Sequence, residues 1–417
     1  MGTLGSVRDL ARKGGEPSAG PSSGRLQRRE ILKTGAAVAL GSLGWRTHLA
    51  RAEARDAVKV GVLLPSSGVY AQLGQDITQG MLLYLDRVQN RAGGRPIQLI
   101  AEDETADPSI ALSKARKLIE SDRVDILTGV VSTAAAYAIR DLVHSSRTIF
   151  IVSNAGGNAL TRERKSPYIF RVSFTSWQVS FPFGRWVADK VSRRATVLAA
   201  DYAFGRESVA AFKESFLAAG GQVLDEIWTP LGSTDFSAYV SRIIGTRPGT
   251  VYGFLSGSDA VIFIRQYAQF GLAGNVPLTV AGFMVEEDVL PAVGRAALGA
   301  RSSLHWAVRL DNPVNREFVA SYRRRFNASP SVFSMQGYDA ARVMVEAIDA
   351  VGGDLSNKDR FIQALEGVRF DSPRGRFEFD PATHHVVQNI YVREVRDFQG
   401  ELANAVIEDL GRVRDVG

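Results

Sequence analysis

Short apolar runs rich in β-branched residues, each followed by a segment with helical spacing, constrain this chain more than any other feature. Residues 58–64 read VKVGVLL and stop at Pro65. A run with no polar face must be covered on both sides, which is the condition of a strand in a parallel sheet flanked by helices. Residues 74–90 then place Ile77, Met81, Leu85 and Val88 on one helical face. The alternation continues with a strand at 97–102, a helix at 109–121 and a strand at 125–128. A helix at 132–145 and a strand at 148–152 complete this set. A second set has strands at 196–200, 223–228, 251–255 and 278–281, with helices at 204–219, 236–246 and 258–270 between them. Two helices follow at 313–326 and 334–351, and a third near 359–365. The chain closes on β-like segments at 375–379 and 388–395, joined by a polar turn at Asp380-Pro381. The pattern predicts an α/β fold made of two doubly wound units of similar design, facing each other across a cleft. No short-period repeat is present.

A length of 417 residues suits two or three domains. The net charge of +6 would suggest a nucleic-acid partner, but its distribution argues against one. Residues 1–54 hold nine Lys/Arg and four Asp/Glu, leaving 41 basic and 40 acidic residues in the rest. The globular part is nearly neutral, so no nucleic-acid partner is expected. No run of 18 apolar residues is long enough to span a bilayer. The N-terminal segment instead has the order of an export signal. A Gly/Ser/Pro-rich leader precedes Arg28-Arg29, Ile31-Leu32 and Lys33, and a mildly apolar stretch at 34–45 leads to small-residue patterns ending at Ala52 and Ala54. This resembles a bacterial twin-arginine (Tat) signal peptide, which implies a periplasmic protein cleaved near Ala54. The long leader also leaves open a translation start later than Met1. The alternative is a basic N-terminus with an accidental arginine pair.

The common catalytic signatures are missing. There are no cysteines, so disulfides, thiolate nucleophiles and thiolate metal sites are excluded, and only five histidines. No glycine-rich phosphate loop, nucleophile elbow or zinc-protease motif occurs. No catalytic residues, cofactor or metal are expected. His384-His385 reads as a solvated loop pair, and Glu102-Asp103-Glu104 as a solvated acidic loop after a strand. His144 reads as a structural residue at a helix end. What remains is the set of loops at the carboxyl ends of the strands, where open α/β sheets bind ligands.

Several of those loops, in their order along the chain, resemble the periplasmic solute-binding proteins of ABC importers, in the branched-chain amino acid (Leu/Ile/Val) group. The resemblance lies in Val60-Gly61-Val62-Leu63-Leu64-Pro65-Ser66-Ser67-Gly68, Gly80, Glu102-Asp103, Gly129-Val130-Val131-Ser132-Thr133-Ala134 and Ser153-Asn154-Ala155-Gly156-Gly157. It continues in Pro167-Tyr168-Ile169-Phe170-Arg171, Asp201-Tyr202-Ala203-Phe204-Gly205 and Gly271-Leu272. The resemblance implies a type I periplasmic binding protein with two lobes joined by three crossovers. These are expected near 174–176, 307–309 and 371–373. Lobe I is then 55–175 with 308–371, and lobe II 176–307 with 372–417. It implies a non-catalytic, monomeric component that closes on a small carboxylate-bearing solute and delivers it to a membrane permease. The solute would be an aromatic or apolar acid or a branched-chain amino acid. The alternatives are an exported ligand sensor of the same fold and an exported α/β hydrolase.

The candidate ligand residues follow from the loops. Ser132 opens a helix after a strand, where free N–H groups and the helix dipole attract a carboxylate, and the Ser132 and Thr133 hydroxyls can add hydrogen bonds. The competing reading is that Ser132 only caps its helix. Asn154, Ala155 and Gly156 end the next strand, where small residues let a ligand reach the backbone; a plain turn is the alternative. Tyr70, Trp177 and Phe204 are candidates to cover the ligand, each against the alternative of core packing. The resemblance implies an acid after the strand at 278–281 to hold a ligand ammonium, yet Phe283-Met284 stands there. Phe283 is therefore expected as an apolar wall and the solute as something other than a zwitterionic amino acid. A shifted loop would instead bring Glu286 or Glu287 into the cleft.

Overall fold

The computed structural model describes residues 57–416. The twin-arginine pair Arg28-Arg29 and the cleavage position after Ala54 lie outside them. In the first part of the chain β1 (Val58–Leu64), α1 (Ala71–Arg87), β2 (Arg91–Ala92), β3 (Arg95–Asp103) and α2 (Pro108–Arg116) lead to β4 (Ile126–Gly129) and α3 (Thr133–Ser146). Then come β5 (Ile149–Val152) and β6 (Ile169–Arg171). The second set is α4 (Ser176–Lys190), β7 (Arg194–Ala200), α5 (Ala203–Ala218), β8 (Gln222–Thr229), α6 (Ser237–Thr246), β9 (Thr250–Phe254), α7 (Gly257–Gln269), β10 (Leu278–Ala281), a short α8 (Leu290–Val293) and β11 (Arg301–Leu304). The chain ends with α9 (Pro313–Phe326), α10 (Val332–Ala350), α11 (Lys358–Glu366), β12 (Arg369–Ser372), β13 (Gly375–Asp380), β14 (His385–Val386), β15 (Gln388–Phe398) and β16 (Glu401–Val413).

These strands form two sheets. One runs β12-β13-β14-β6-β5-β4-β1-β3-β2 and the other β16-β15-β11-β10-β9-β7-β8. The centre of each is parallel, as the uninterrupted apolar runs require. β1 is buried at six of its seven positions, Lys59 alone being partly exposed. Helix starts follow the capping rules. Asp107 accepts from the Ser109 and Ile110 N–H groups ahead of Pro108, and Ser331 and Ser334 form a reciprocal capping box on α10. One apolar core runs through both units, from Val58 and Phe150 to Phe212, Tyr252 and Phe283.

The chain leaves the first sheet after β6 and returns after β11 to place α10 against α1. The third passage departs from the expectation. β13 and β14 stay in the first sheet, so residues 372–386 belong with it and the chain crosses between β14 and β15. The Asp380-Pro381 turn joins β13 to the short antiparallel β14 rather than leading directly into β15. β13 also turns back on β12 through Pro373 and Arg374, with Gly375 at φ 109°. Periodicity alone does not mark α4, because Pro182 sits in its interior. Thr175 starts that helix by accepting from the Gln178 N–H at 2.9 Å.

Candidate functional site

A small cavity, about 310 Å³ when its open mouth is counted, lies where the carboxyl ends of the two parallel sheets face each other. Tyr70 comes from the loop after β1, Val131 and Thr133 from the loop after β4, and Asn154 and Gly156 from the loop after β5. Tyr202 and Phe204 follow β7, Phe254 and Ser256 close β9, and Phe283 follows β10. Every one of these loops sits where a doubly wound sheet opens its crevice. Phe174 enters from the first crossover and Phe333 from α10.

Five phenylalanine rings make most of the wall. Phe174 and Phe283 are 4.6 Å apart between centroids, Phe204 and Phe254 4.3 Å, and Phe283 and Phe333 5.9 Å. No charged side chain lines the cavity. Its polar edge consists of the Thr133, Tyr70, Tyr202 and Ser256 hydroxyls and the Asn154 amide. The Tyr70 hydroxyl is buried beside the Tyr202 and Ser256 hydroxyls. Behind Asn154, its Nδ2 donates to Gln336 Oε1 at 2.7 Å.

Of the residues expected from sequence, Tyr70, Thr133, Asn154, Gly156, Phe204 and Phe283 come together on this wall. Ser132, Ala155 and Trp177 do not. The Ser132 hydroxyl accepts from the Ala135 N–H, so it caps α3. Ala155 is buried, with its N–H given to Val130 O. Trp177 lies outside the cavity, stacked on Phe181 with Arg162 over its other side. Sequence reasoning missed Leu73, Val131, Phe174, Tyr202, Phe254, Ser256 and Phe333 as wall residues. Phe254 and Ser256 were reachable from the strand-end rule alone, whereas Phe333 sits in a helix and carries no such mark.

The acids sort themselves away from the cavity. Glu286 forms a fully buried pair with Arg393 at 2.7 Å and accepts from the Val332 N–H at 2.7 Å. Glu287 accepts from the Asn404 N–H at 3.0 Å. Neither is a lining residue, so the loop is not shifted. Glu104 corrects the expectation of a solvated acidic loop. It is fully buried and accepts from the Val131 and Ser132 N–H groups, both at 2.7 Å. Burial outweighs these two bonds and pushes its carboxyl up to about 8. The expected solvated pair His384-His385 is likewise buried: His385 Nδ1 accepts from Arg171 Nε, and His384 stacks on Phe170. Among the described residues no group of His, Asp and Glu is placed to hold a metal ion.

Contacts between the two units rim the cavity. Glu207 of α5 accepts from the Tyr137 hydroxyl of α3 and from the Asn158 N–H at 2.8 Å. Opposite, Gly257 at φ 57° is so close to the loop after β1 that an added Cβ would sit 2.4 Å from Val69 O. Beside the crossovers the buried Arg374 pairs with Asp339 at 2.8 Å and donates to Val172 O, Ser173 O and Gln388 Oε1.

Residues 57–401 match the family model described as periplasmic binding protein. The chain belongs to the periplasmic binding protein family. This periplasmic binding protein is 33% identical over 386 residues to the Leu/Ile/Val-binding protein homolog 6 of Brucella melitensis, covering 91% of this chain and 98% of that one. It is also similar to an ABC-transporter solute-binding protein of R. palustris solved in complex with benzoate, at 35% identity and TM-score 0.82, over 86% of this chain and 98% of the other. A solute-binding protein of Rhodopseudomonas palustris BisB5, solved in complex with 3,4-dihydroxybenzoic acid, matches at 33% identity and TM-score 0.82, over 86% and 99%. The protein is thus a periplasmic solute-binding component of an ABC importer, in the Leu/Ile/Val-binding group and with the type I fold. The family is one of solute binders that hand a small molecule to a permease, not of enzymes.

Proposed function

We propose that this periplasmic binding protein carries an aromatic carboxylate to its permease. The observation that carries this reading is a cavity walled by phenylalanines and lined by no charged side chain. A zwitterionic amino acid would bury its ammonium without a counter-charge, at a cost of several kcal/mol. Micromolar binding corresponds to only about 8 kcal/mol, so such a cost removes most of it. A benzoate-like acid carries no ammonium, so it buries one charge instead of two, and the wall offers hydroxyl donors for that one. Its ring meets Phe204 and Phe283, its carboxylate the Thr133 and Tyr70 hydroxyls at the α3 N-terminus, and its edge Asn154 and Gly156. The benzoate and 3,4-dihydroxybenzoate complexes of the similar proteins support the same class.

A branched-chain amino acid is the second reading, favoured by the name of the Brucella relative. Calorimetry decides between them. Benzoate or a hydroxybenzoate is expected to bind at micromolar strength or better and leucine at least about 100-fold more weakly. Tight leucine binding with no aromatic acid bound would overturn the proposal. We propose further that Arg28-Arg29 directs Tat export, that cleavage near Ala54 makes Arg55 the first residue of the mature protein, and that it acts as a monomer.

A further inference from the structure

The aromatic-acid reading sets the Asn154 amide at the edge of the ring without naming the atom it meets. Asn154 spends its Nδ2 on Gln336 Oε1. With its carbonyl oxygen engaged, Gln336 has only N–H groups to offer His305, and its Nε2 lies 3.1 Å from His305 Nε2. With that placement His305 accepts at Nε2 and carries its proton on Nδ1, which meets no acceptor among the described residues. Gln336 and His305 are both 0% exposed, and Phe174, itself part of the cavity wall, lies over the imidazole at 5.6 Å and 24°. Burial, with Arg374 and Arg393 nearby, holds His305 far below the usual histidine range, so it stays a neutral acceptor. In this arrangement the row of three side chains sets the Asn154 amide with its nitrogen towards Gln336 and its oxygen away from it.

Asn154 Oδ1 is thereby left for the cavity, and no protein donor meets it among the described residues. The other polar side chains on the wall are the hydroxyls of Tyr70, Thr133, Tyr202 and Ser256, and each of them can donate to a carboxylate. Asn154 Oδ1 can only accept. A benzoate ring would bury it against C–H and leave it unpaired, whereas a ring hydroxyl would donate to it. We infer that Asn154, oriented by Gln336 and His305, accepts a hydrogen bond from a ring hydroxyl, so that the solute is a hydroxylated benzoate rather than benzoate itself. Asn154 is here the ligand contact, and Gln336 and His305 are positioning residues.

This inference rests on the aromatic-acid reading, and one calorimetric panel separates the two. The exported protein is titrated with benzoate, 3-hydroxybenzoate, 4-hydroxybenzoate, 3,4-dihydroxybenzoate and leucine. At least one hydroxylated acid is expected to bind about tenfold or more tightly than benzoate, a difference of about 1.4 kcal/mol. Asn154→Leu should bring that ratio to within about twofold. Gln336→Met, which touches no ligand, should shrink the ratio by freeing the amide to turn. Gln336→Glu, an acceptor towards Asn154, should keep it. Thermal melting confirms that each variant is folded, and Gln336→Met carries the test if Asn154→Leu is not. Equal binding of benzoate and all hydroxybenzoates by the unaltered protein overturns the inference and leaves the aromatic-acid reading standing. So does a ratio that neither Asn154→Leu nor Gln336→Met alters. Binding of leucine alone overturns both.

Discussion

Glu104 changes what the N-terminus of α3 can offer a ligand. The first turn of a helix presents free N–H groups that suit a carboxylate, and here the protein's own carboxyl sits just ahead of them, on the Val131 and Ser132 N–H groups. With Ser132 Oγ on the Ala135 N–H, a ligand at this end meets Thr133, which lies on the cavity wall. With its carboxyl pushed up to about 8, Glu104 is largely neutral at pH 7 and tolerates an anion beside it. Two consequences follow from the sign of that shift. A folded-state pKa above the unfolded value of about 4.3 contributes stability that is fully present below that value and is lost as pH rises through about 8. Denaturant unfolding at pH 5, 7 and 9 should therefore show stability falling across this window, and Glu104→Gln should flatten the fall. Carboxylate affinity should also weaken above pH 8 in the unaltered protein, as Glu104 becomes an anion. Identical pH profiles for protein and variant would show that Glu104 does not titrate there.

At the scale of elements, α1 and α10 cross with glycines at the contact on both sides. A Cβ on Gly80 would lie 1.8 Å from Ser334 O, and one on Gly337 1.9 Å from Ile77 O. Backbone cannot yield as a flexible side chain can, so Gly337→Ala should cost roughly 1–3 kcal/mol by overpacking, read as a lower denaturation midpoint. An unchanged midpoint would mean that the two helices separate freely. Gly80 was singled out in the sequence through the family resemblance; its partner Gly337 had no such mark, because a contact between distant segments leaves no local pattern. The same contrast explains the rest of the fold. β1, β4, β5, β7, β9 and β10 were legible because burial on both faces forces uninterrupted apolar runs. α4 was hidden by Pro182, and the sheet that takes up β13 was hidden because pairing with β12 or with β15 is equally compatible with its alternation. In the site, strand-end loops were legible and the side chains that α10 sends in, Phe333 and Gln336, were not.

At the scale of the molecule, the two units meet around a filled hinge and a polar rim. Arg374 ties the first and third passages of the chain, where Val172, Ser173 and Gln388 accept from it. Motion about that point would separate Glu207 from Tyr137 and Asn158, contacts made only when the units are together. Hydrogen bonds to a charged group are worth roughly 1.5–3 kcal/mol each. Glu207→Ala should therefore lower affinity for the preferred acid by about tenfold or more without altering the cavity wall. Small-angle scattering of the unliganded variant should show a larger radius of gyration than that of the unaltered protein. Equal affinity and equal radius would show that this rim does not hold the closed state. The small size of the cavity between the rims has a last consequence, for traffic rather than for affinity. It works as a gauge: a single ring with small substituents lets the rims meet, whereas a fused two-ring acid wedges them apart. Such an acid would occupy the protein without producing the face that a permease reads, and would act on uptake as an antagonist rather than as cargo.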